Sequence, residues 1–298
     1  MNASDILDVR RTDLRSEYRP QREWIDGRGL LIVIAHFFSG IGAGAWLFSV
    51  WLDFPAGMLL ALICVGLLSG LAHLAFLGRF ERFWRMLKRP HRSWISRGIW
   101  GIGIFGVGAV GVLLGPPAWK GAMVGLSLVG CAIILLYEGF VYAASRAIPF
   151  WHTRLLPILY IAYGLRGGAA LLLVLAAFGG TTFELAAIEA IKLWVVASTA
   201  VLVLLYLLAA KRAGGAAAHS VSRLIAGPIS PAFYGGTVLL GLLVPLGLGM
   251  ARELGTGGLS VLALIGVSSL IGDFYVKYCV VKAGTYVPLR GFGDCDTA

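Results

Sequence analysis

Ionisable side chains that interrupt long apolar runs are where this chain could do chemistry. His36, His73, Glu138, Arg166, Glu189, Lys192 and Asp273 each stand inside such a run. A neutral imidazole can give and take a hydrogen bond, a phenol can do the same, and a carboxylate can hold a proton. His36, His73, Tyr137 and Glu138 fall at similar depth, within about two turns of one end of their segments, with Asp273 slightly deeper. Such a set could hydrogen-bond a quinone carbonyl and exchange its protons. The glycines that follow His36, beginning at Gly40, either make room for a flat ring or let another helix approach closely. Arg166 is central in its run and needs an acid or a carbonyl, with Glu138 and Asp273 the nearest candidates; the set is either an ion pair or a proton route. Glu189 and Lys192, three residues apart, can pair locally. A rival reading takes His36 and His73 as axial ligands of a b-type haem.

These groups need helices in lipid to position them. Of 298 residues, 58% are hydrophobic and 13% charged, where a soluble domain carries about a quarter charged residues. That excess is too large for one globular core, so the composition predicts a polytopic membrane protein. A span needs about 20 apolar residues, and the chain offers such segments at 29–52, 55–78, 95–115, 119–143, 154–179, 184–210, 232–250 and 257–281. The expected fold is an all-α integral membrane protein with eight transmembrane helices arranged as two four-helix bundles. The division is a tail at 1–28, a first bundle at 29–143, a second at 144–281 and a closing tail at 282–298. Short turn-rich links alternate with longer basic ones. "GIGAGA" (40–45) resembles "GLRGGAA" (164–170), and "LLYEGFVY" (135–142) resembles "LIGDFYVKY" (270–278), which would relate the halves as parallel repeats.

Charge sets the orientation. Of the 25 Lys and Arg residues, all but Lys120, Arg166, Lys192 and Arg252 are assigned to one side, Lys277 and Lys282 among them. Both termini are therefore expected in the cytoplasm, and the membrane to be the bacterial or archaeal inner membrane. The net charge of +10 is explained by topology and by acidic lipid headgroups, so no nucleic-acid partner is expected. The link at 79–98 could also dock an acidic partner through Arg79, Arg82, Arg85, Arg92, Trp94 and Arg97. The first 27 residues mix acids and bases, which predicts no cleaved secretory signal. Cys64, Cys131, Cys279 and Cys295 form no CxxC pair and are expected to pack rather than to ligate metal.

Four stretches, "HFFSGIGAGAWL", "GRFERFWRMLKRPHRSWISRG", "YEGFVYAASRAIPFWHTRLLPILY" and "VVKAGTYVPL", resemble the NrfD/polysulfide reductase membrane-subunit family, which includes the dimethyl sulfoxide reductase anchor. The resemblance implies two four-helix bundles that bind no haem, metal or iron–sulfur cluster themselves. It also implies an iron–sulfur electron-transfer partner, a molybdenum or tungsten bis-pterin catalytic subunit beyond it, and a quinone (ubiquinone or menaquinone) bound near that partner. By the same resemblance the quinone-binding histidine is His36 and the tyrosine Tyr137; the residues themselves add Glu138 and Gly40 to the expected quinone site. Where relatives often carry asparagine this chain has Val33, and where many read YTG it reads YEG, so Glu138 could supply the missing proton acceptor. Glu138, Arg166 and Asp273 remain the candidates for proton transfer or an intramembrane ion pair. The charge bias would put the catalytic partner on the cytoplasmic side, acting on an intracellular substrate. Two other classes stay open: an ion-translocating protein using Arg166, Glu138 and Asp273, and a passive anchor without quinone chemistry.

Overall fold

The computed structural model describes residues 18–179, 185–255 and 258–288. Cys295, Arg290 and the first arginines of the tail lie outside the described residues, as do the side chains of Glu189 and Lys192. The spanning helices are α1 (Gly29–Trp51), α2 (Pro55–Leu77), α3 (Trp94–Leu114), α4 (Lys120–Ala143), α5 (Leu155–Gly179) and α6 (Leu185–Arg212). A short surface helix, α7 (Gly215–Ile225), precedes α8 (Ala232–Glu253) and α9 (Leu259–Ala283). Among the described residues there are eight helices long and apolar enough to cross a membrane. Their ends fall within a few residues of the apolar runs, because the bilayer thickness fixes how long such a run must be.

Local sequence explains the boundaries. Pro55 opens α2, where its missing N–H costs nothing. Ser93 caps α3 by accepting from the Ser96 amide at 3.4 Å. Gly78 ends α2 at φ +66°, a left-handed turn that glycine enters without strain. Two spans carry wider π-helical stretches, Ile63–Ser69 in α2 and Ala232–Leu243 in α8. The first of these ends one turn before His73, and such insertions often accompany functional positions.

α1 and α5 are the central helices. About two thirds of the α1 span and 61% of the α5 span are buried, against 28% in α2, α3 and α6. α1 packs on α2, α4, α5 and α9, while α5 packs on α4, α6 and α9. Small residues make this possible. A methyl group at Gly44 would land on the Gly164 carbonyl, and one at Gly168 on the Gly44 main chain. Gly241 and Gly272 meet in the same way between α8 and α9. With lipid tails as apolar as leucine, such close backbone approach and its dispersion contacts drive helix association.

One end of the molecule is knitted by main chain. Pro20 bridges Thr285, the Tyr286 amide donates to the Arg19 carbonyl at 2.8 Å, and the Val287 amide donates to the Ala147 carbonyl at 3.0 Å. Trp151, in the α4–α5 link, donates its indole N–H to the Val280 carbonyl at 2.9 Å. The chain's first described residues, its middle and its last thus share one end, which is also the end nearest His36, His73 and Tyr137.

Candidate functional site

α1, α2 and α4 bring two imidazoles and two phenols into contact. His36 Nε2 lies 2.7 Å from the Tyr137 hydroxyl and His36 Nδ1 lies 3.0 Å from the Tyr142 hydroxyl. Tyr137 and Tyr142 are five residues apart on α4, about 7.5 Å along its axis, and the His36 ring bridges that interval. His73 Nε2 reaches the same Tyr137 hydroxyl at 3.3 Å, while its Nδ1 lies 2.9 Å from the Ser69 carbonyl and 3.2 Å from the Ser69 hydroxyl. His36 is 1% exposed and Tyr137 3%, so neither can satisfy itself with bulk water.

A cavity of about 450 Å³ opens beside this cluster, within the usual size range of small-molecule sites. Its wall is apolar except at His36, His73, Tyr137 and the indole N–H groups of Trp24 and Trp100, the last donating to the Leu87 carbonyl at 3.1 Å. The rest comes from α1 (Ile32), α3 (Ile99, Trp100), α4 (Val141) and the Phe80–Lys88 segment of the α2–α3 link, which contributes Phe83 and Met86. That segment is amphipathic: Phe83, Met86 and Leu87 are half-buried, whereas Arg82, Arg85, Lys88 and Arg89 are exposed. It therefore roofs the cavity with one face and presents cations with the other.

Gly40 and Glu138 do not reach the cavity wall. Glu138 is fully buried between α1, α4 and α9, where it accepts from the Ser39 hydroxyl at 2.6 Å and forms an ion pair with Lys277 of α9. Lys277 also donates to the His36 carbonyl at 2.9 Å and sits over the Tyr160 ring at 4.8 Å. A methyl group at Gly40 would lie 2.7 Å from Glu138 Oε2 and 2.9 Å from Lys277 Nζ. The missing side chain thus makes space for this pair, and the glycines beyond it make space for α5.

Lys277 corrects the charge assignment made from the sequence. It is 1% exposed and belongs to the interior, not to the basic flank. Arg166 takes Asp273 and not Glu138: its Nε lies 3.2 Å from Asp273 Oδ1. Its Nη1 donates to Thr199 at 3.2 Å, its Nη2 donates to the Gly241 carbonyl, and its plane faces Tyr163 at 5.2 Å. Asp273 Oδ1 and Oδ2 complete no hydrogen bond; the pair is close in distance but not aligned.

The haem reading does not fit these residues. Both Nε2 atoms converge on the Tyr137 hydroxyl, at 2.7 and 3.3 Å, so a phenol stands where an iron between the two rings would have to be. Among the described residues no group of three or more His, Cys, Asp or Glu side chains converges as a metal site. Cys64, Cys131 and Cys279 are buried free thiols. On the link, Arg79, Arg82, Arg85 and Arg92 are exposed. Trp94 stacks on Phe140 at 4.5 Å, with the Arg97 guanidinium 4.2 Å above its ring, and Arg97 donates to the carbonyls of Pro90 and His91.

The eight long apolar helices among the described residues fit a multi-pass membrane protein, and three of them, α1, α2 and α4, carry a histidine–tyrosine cluster beside a largely apolar chamber. The chain belongs to the NrfD family: the family described as "Polysulphide reductase, NrfD" matches residues 28–288, nearly its whole length. Members are membrane subunits of polysulfide-reductase-like oxidoreductase complexes and generally assemble with catalytic and iron–sulfur subunits. No curated protein matches the chain.

Proposed function

We propose that this chain is the quinone-reactive membrane subunit of such a complex, exchanging electrons between the membrane quinone pool and an iron–sulfur partner docked on the basic link. The supporting observation is the cavity, on whose largely apolar wall His36, His73 and Tyr137 gather at one place. That suits a ring with polar oxygens and a long apolar tail. A bound quinone exchanges two electrons and two protons. Tyr137, held in place by His36, hydrogen-bonds one of the quinone's oxygens, and the apolar wall receives the ring and tail. The exposed Arg79, Arg82, Arg85 and Arg92 would receive an acidic partner surface, which in turn would connect to a molybdenum or tungsten bis-pterin catalytic subunit. This reading assumes two four-helix bundles meeting across α1, α4, α5 and α9, with both termini in the cytoplasm of a bacterial or archaeal cell. Glu138 and Gly40 support the site from behind.

The test is turnover of the assembled complex with quinone. His36→Ala and Tyr137→Phe should each keep assembly and lower turnover by about tenfold or more, as loss of an acid–base or positioning group does. Wild-type turnover in both variants would overturn the assignment. A second reading, ion translocation through Arg166 and Asp273, is favoured by the two buried Asp273 oxygens that complete no hydrogen bond. Ion flux into proteoliposomes without any redox partner would select it.

A further inference from the structure

Counting hydrogens fixes the direction of the chain that joins the two imidazoles. The Ser69 carbonyl can only accept and lies 2.9 Å from His73 Nδ1, nearer than the Ser69 hydroxyl at 3.2 Å, so the hydrogen is assigned to this nitrogen. A neutral ring then has a bare Nε2, which must accept the Tyr137 hydroxyl hydrogen across 3.3 Å. With its one hydrogen used, Tyr137 accepts from His36 Nε2–H at 2.7 Å. His36 Nδ1 is therefore bare and accepts from Tyr142 at 3.0 Å. Every link runs one way, from Tyr142 through His36 and Tyr137 to His73.

Of these links the one between Tyr137 and His73 is the longest, at 3.3 Å, and both of its partners line the cavity. It is the link that an incoming oxygen can open without disturbing the tighter bonds of His36. Opened, it offers an oxygen one donor, the Tyr137 hydroxyl, and one group that can switch, His73 Nε2. Because Ser69 holds the hydrogen on Nδ1, protons can enter and leave the His73 ring only through Nε2.

We propose that His73 is the residue of this site that exchanges a proton with the bound ring, accepting from a quinol hydroxyl when neutral and donating to a quinone carbonyl when protonated. This rests on the quinone reading above. In the oxidative direction His73 Nε2 takes the hydrogen of the hydroxyl inserted beside Tyr137 and becomes an imidazolium with a hydrogen on each nitrogen. The electrons of the broken O–H bond stay on that oxygen, and the C=O double bond forms there. Two electrons leave the ring, one at a time, to the one-electron iron–sulfur carrier of the partner. The second hydroxyl, at the far edge of the ring, gives its proton to water. Once the site empties, His73 returns its proton to water from Nε2. The titratable groups that face His73 are His36 from α1 and Tyr137 from α4; the cavity walls from α3 and from the link are apolar, and the link's Arg82, Arg85 and Lys88 are exposed.

The experiment compares wild type with His73→Gln, which keeps a hydrogen-bonding side chain but does not titrate, in the intact complex. Binding is read by quenching of tryptophan fluorescence, since Trp24 and Trp100 line the cavity, with two ligands: the quinone, and a 1,3-dihydroxy aromatic analogue that cannot be oxidised to one. In wild type the ratio of the two affinities should change with pH, favouring the dihydroxy ring as pH rises. In His73→Gln the ratio should be flat, with quinone affinity within about threefold of wild type and quinol oxidation slower by about tenfold or more. A His73→Gln protein with the wild-type ratio profile and turnover removes His73 from the chemistry while the quinone reading stands. A wild-type complex that neither binds quinone nor turns it over removes both.

Discussion

Glu138 and Asp273 are both buried carboxylates, and each faces a cation brought by another helix, yet their surroundings differ. Glu138 is satisfied on both oxygens, by Ser39 on one and Lys277 on the other, and Lys277 in turn holds the His36 carbonyl. Asp273 has a cation at 3.2 Å but no completed hydrogen bond, while Arg166 spends its other nitrogens on Thr199 and the Gly241 carbonyl. A buried charge is tolerated when it is paired and its remaining lone pairs are used. By that measure the first pair is a closed clamp behind His36, and the second keeps unused acceptor capacity near the middle of the protein. Two sites with the same charges can therefore do different work: one fixes geometry, the other is free to bind a hydrogen.

The largest test of that contrast is Lys277→Met. It leaves Glu138 buried without its cation, a loss of about 3–5 kcal/mol, read as a drop in thermal unfolding midpoint in detergent. Adding Glu138→Leu should recover most of that loss, and a double variant no better than the single one would show that the two residues do not act as a pair. Gly40→Ala comes next. Its methyl group would stand 2.7 Å from Glu138 and 2.9 Å from Lys277, and forcing both ends apart in a filled interior costs about 1–3 kcal/mol. Asp273→Asn should cost less than Lys277→Met, about 1.5–3 kcal/mol, because Arg166 keeps its bonds to Thr199 and Gly241. An Asp273→Asn loss as large as that of Lys277→Met would erase the distinction between the pairs.

The smallest effect belongs to an exposed clasp. Tyr286 donates to Glu23 at 3.1 Å, joining the two ends of the chain. The Glu23 carboxyl is held below its ordinary value, first by its own backbone amide and then by the Arg22 amide. A carboxyl depressed on folding contributes stability at pH above its unfolded value and loses it as pH falls through the folded one. Amide exchange at residues 284–287 should therefore quicken only when pH drops below the ordinary glutamate range of about 4.3. Quickening that began near neutrality would assign the clasp to another group.

The spans were legible because the bilayer imposes a length that apolar runs must meet. The presence of costly groups near one end was legible too, since each is a polar letter in an apolar sentence. Their partners were not. Depth along a helix can be counted from sequence, but rotation about its axis cannot, so nothing distinguished Glu138 from Asp273 as the partner of Arg166. Lys277 was hidden by its position in "YVKYCVVKAG", where it resembles a flanking base. Two features could have exposed it: it stands four residues after Asp273 on the same helix face, and Lys282 already serves as the flank, where it pairs with Asp26. Tyr142 was visible in the same stretch as Tyr137, but its bond to the second nitrogen of His36 depends on where α1 crosses α4. From sequence the glycines of α1 admit two readings, and the contacts with Gly164 and with the Glu138–Lys277 pair show helix packing at work.

The clamp also dictates an order of manufacture. Glu138 enters the membrane with the fourth spanning helix, whereas its countercharge resides on the eighth and arrives later. Until then the carboxyl has no cation beside it, so the support beneath the first helix is completed only when the eighth is inserted.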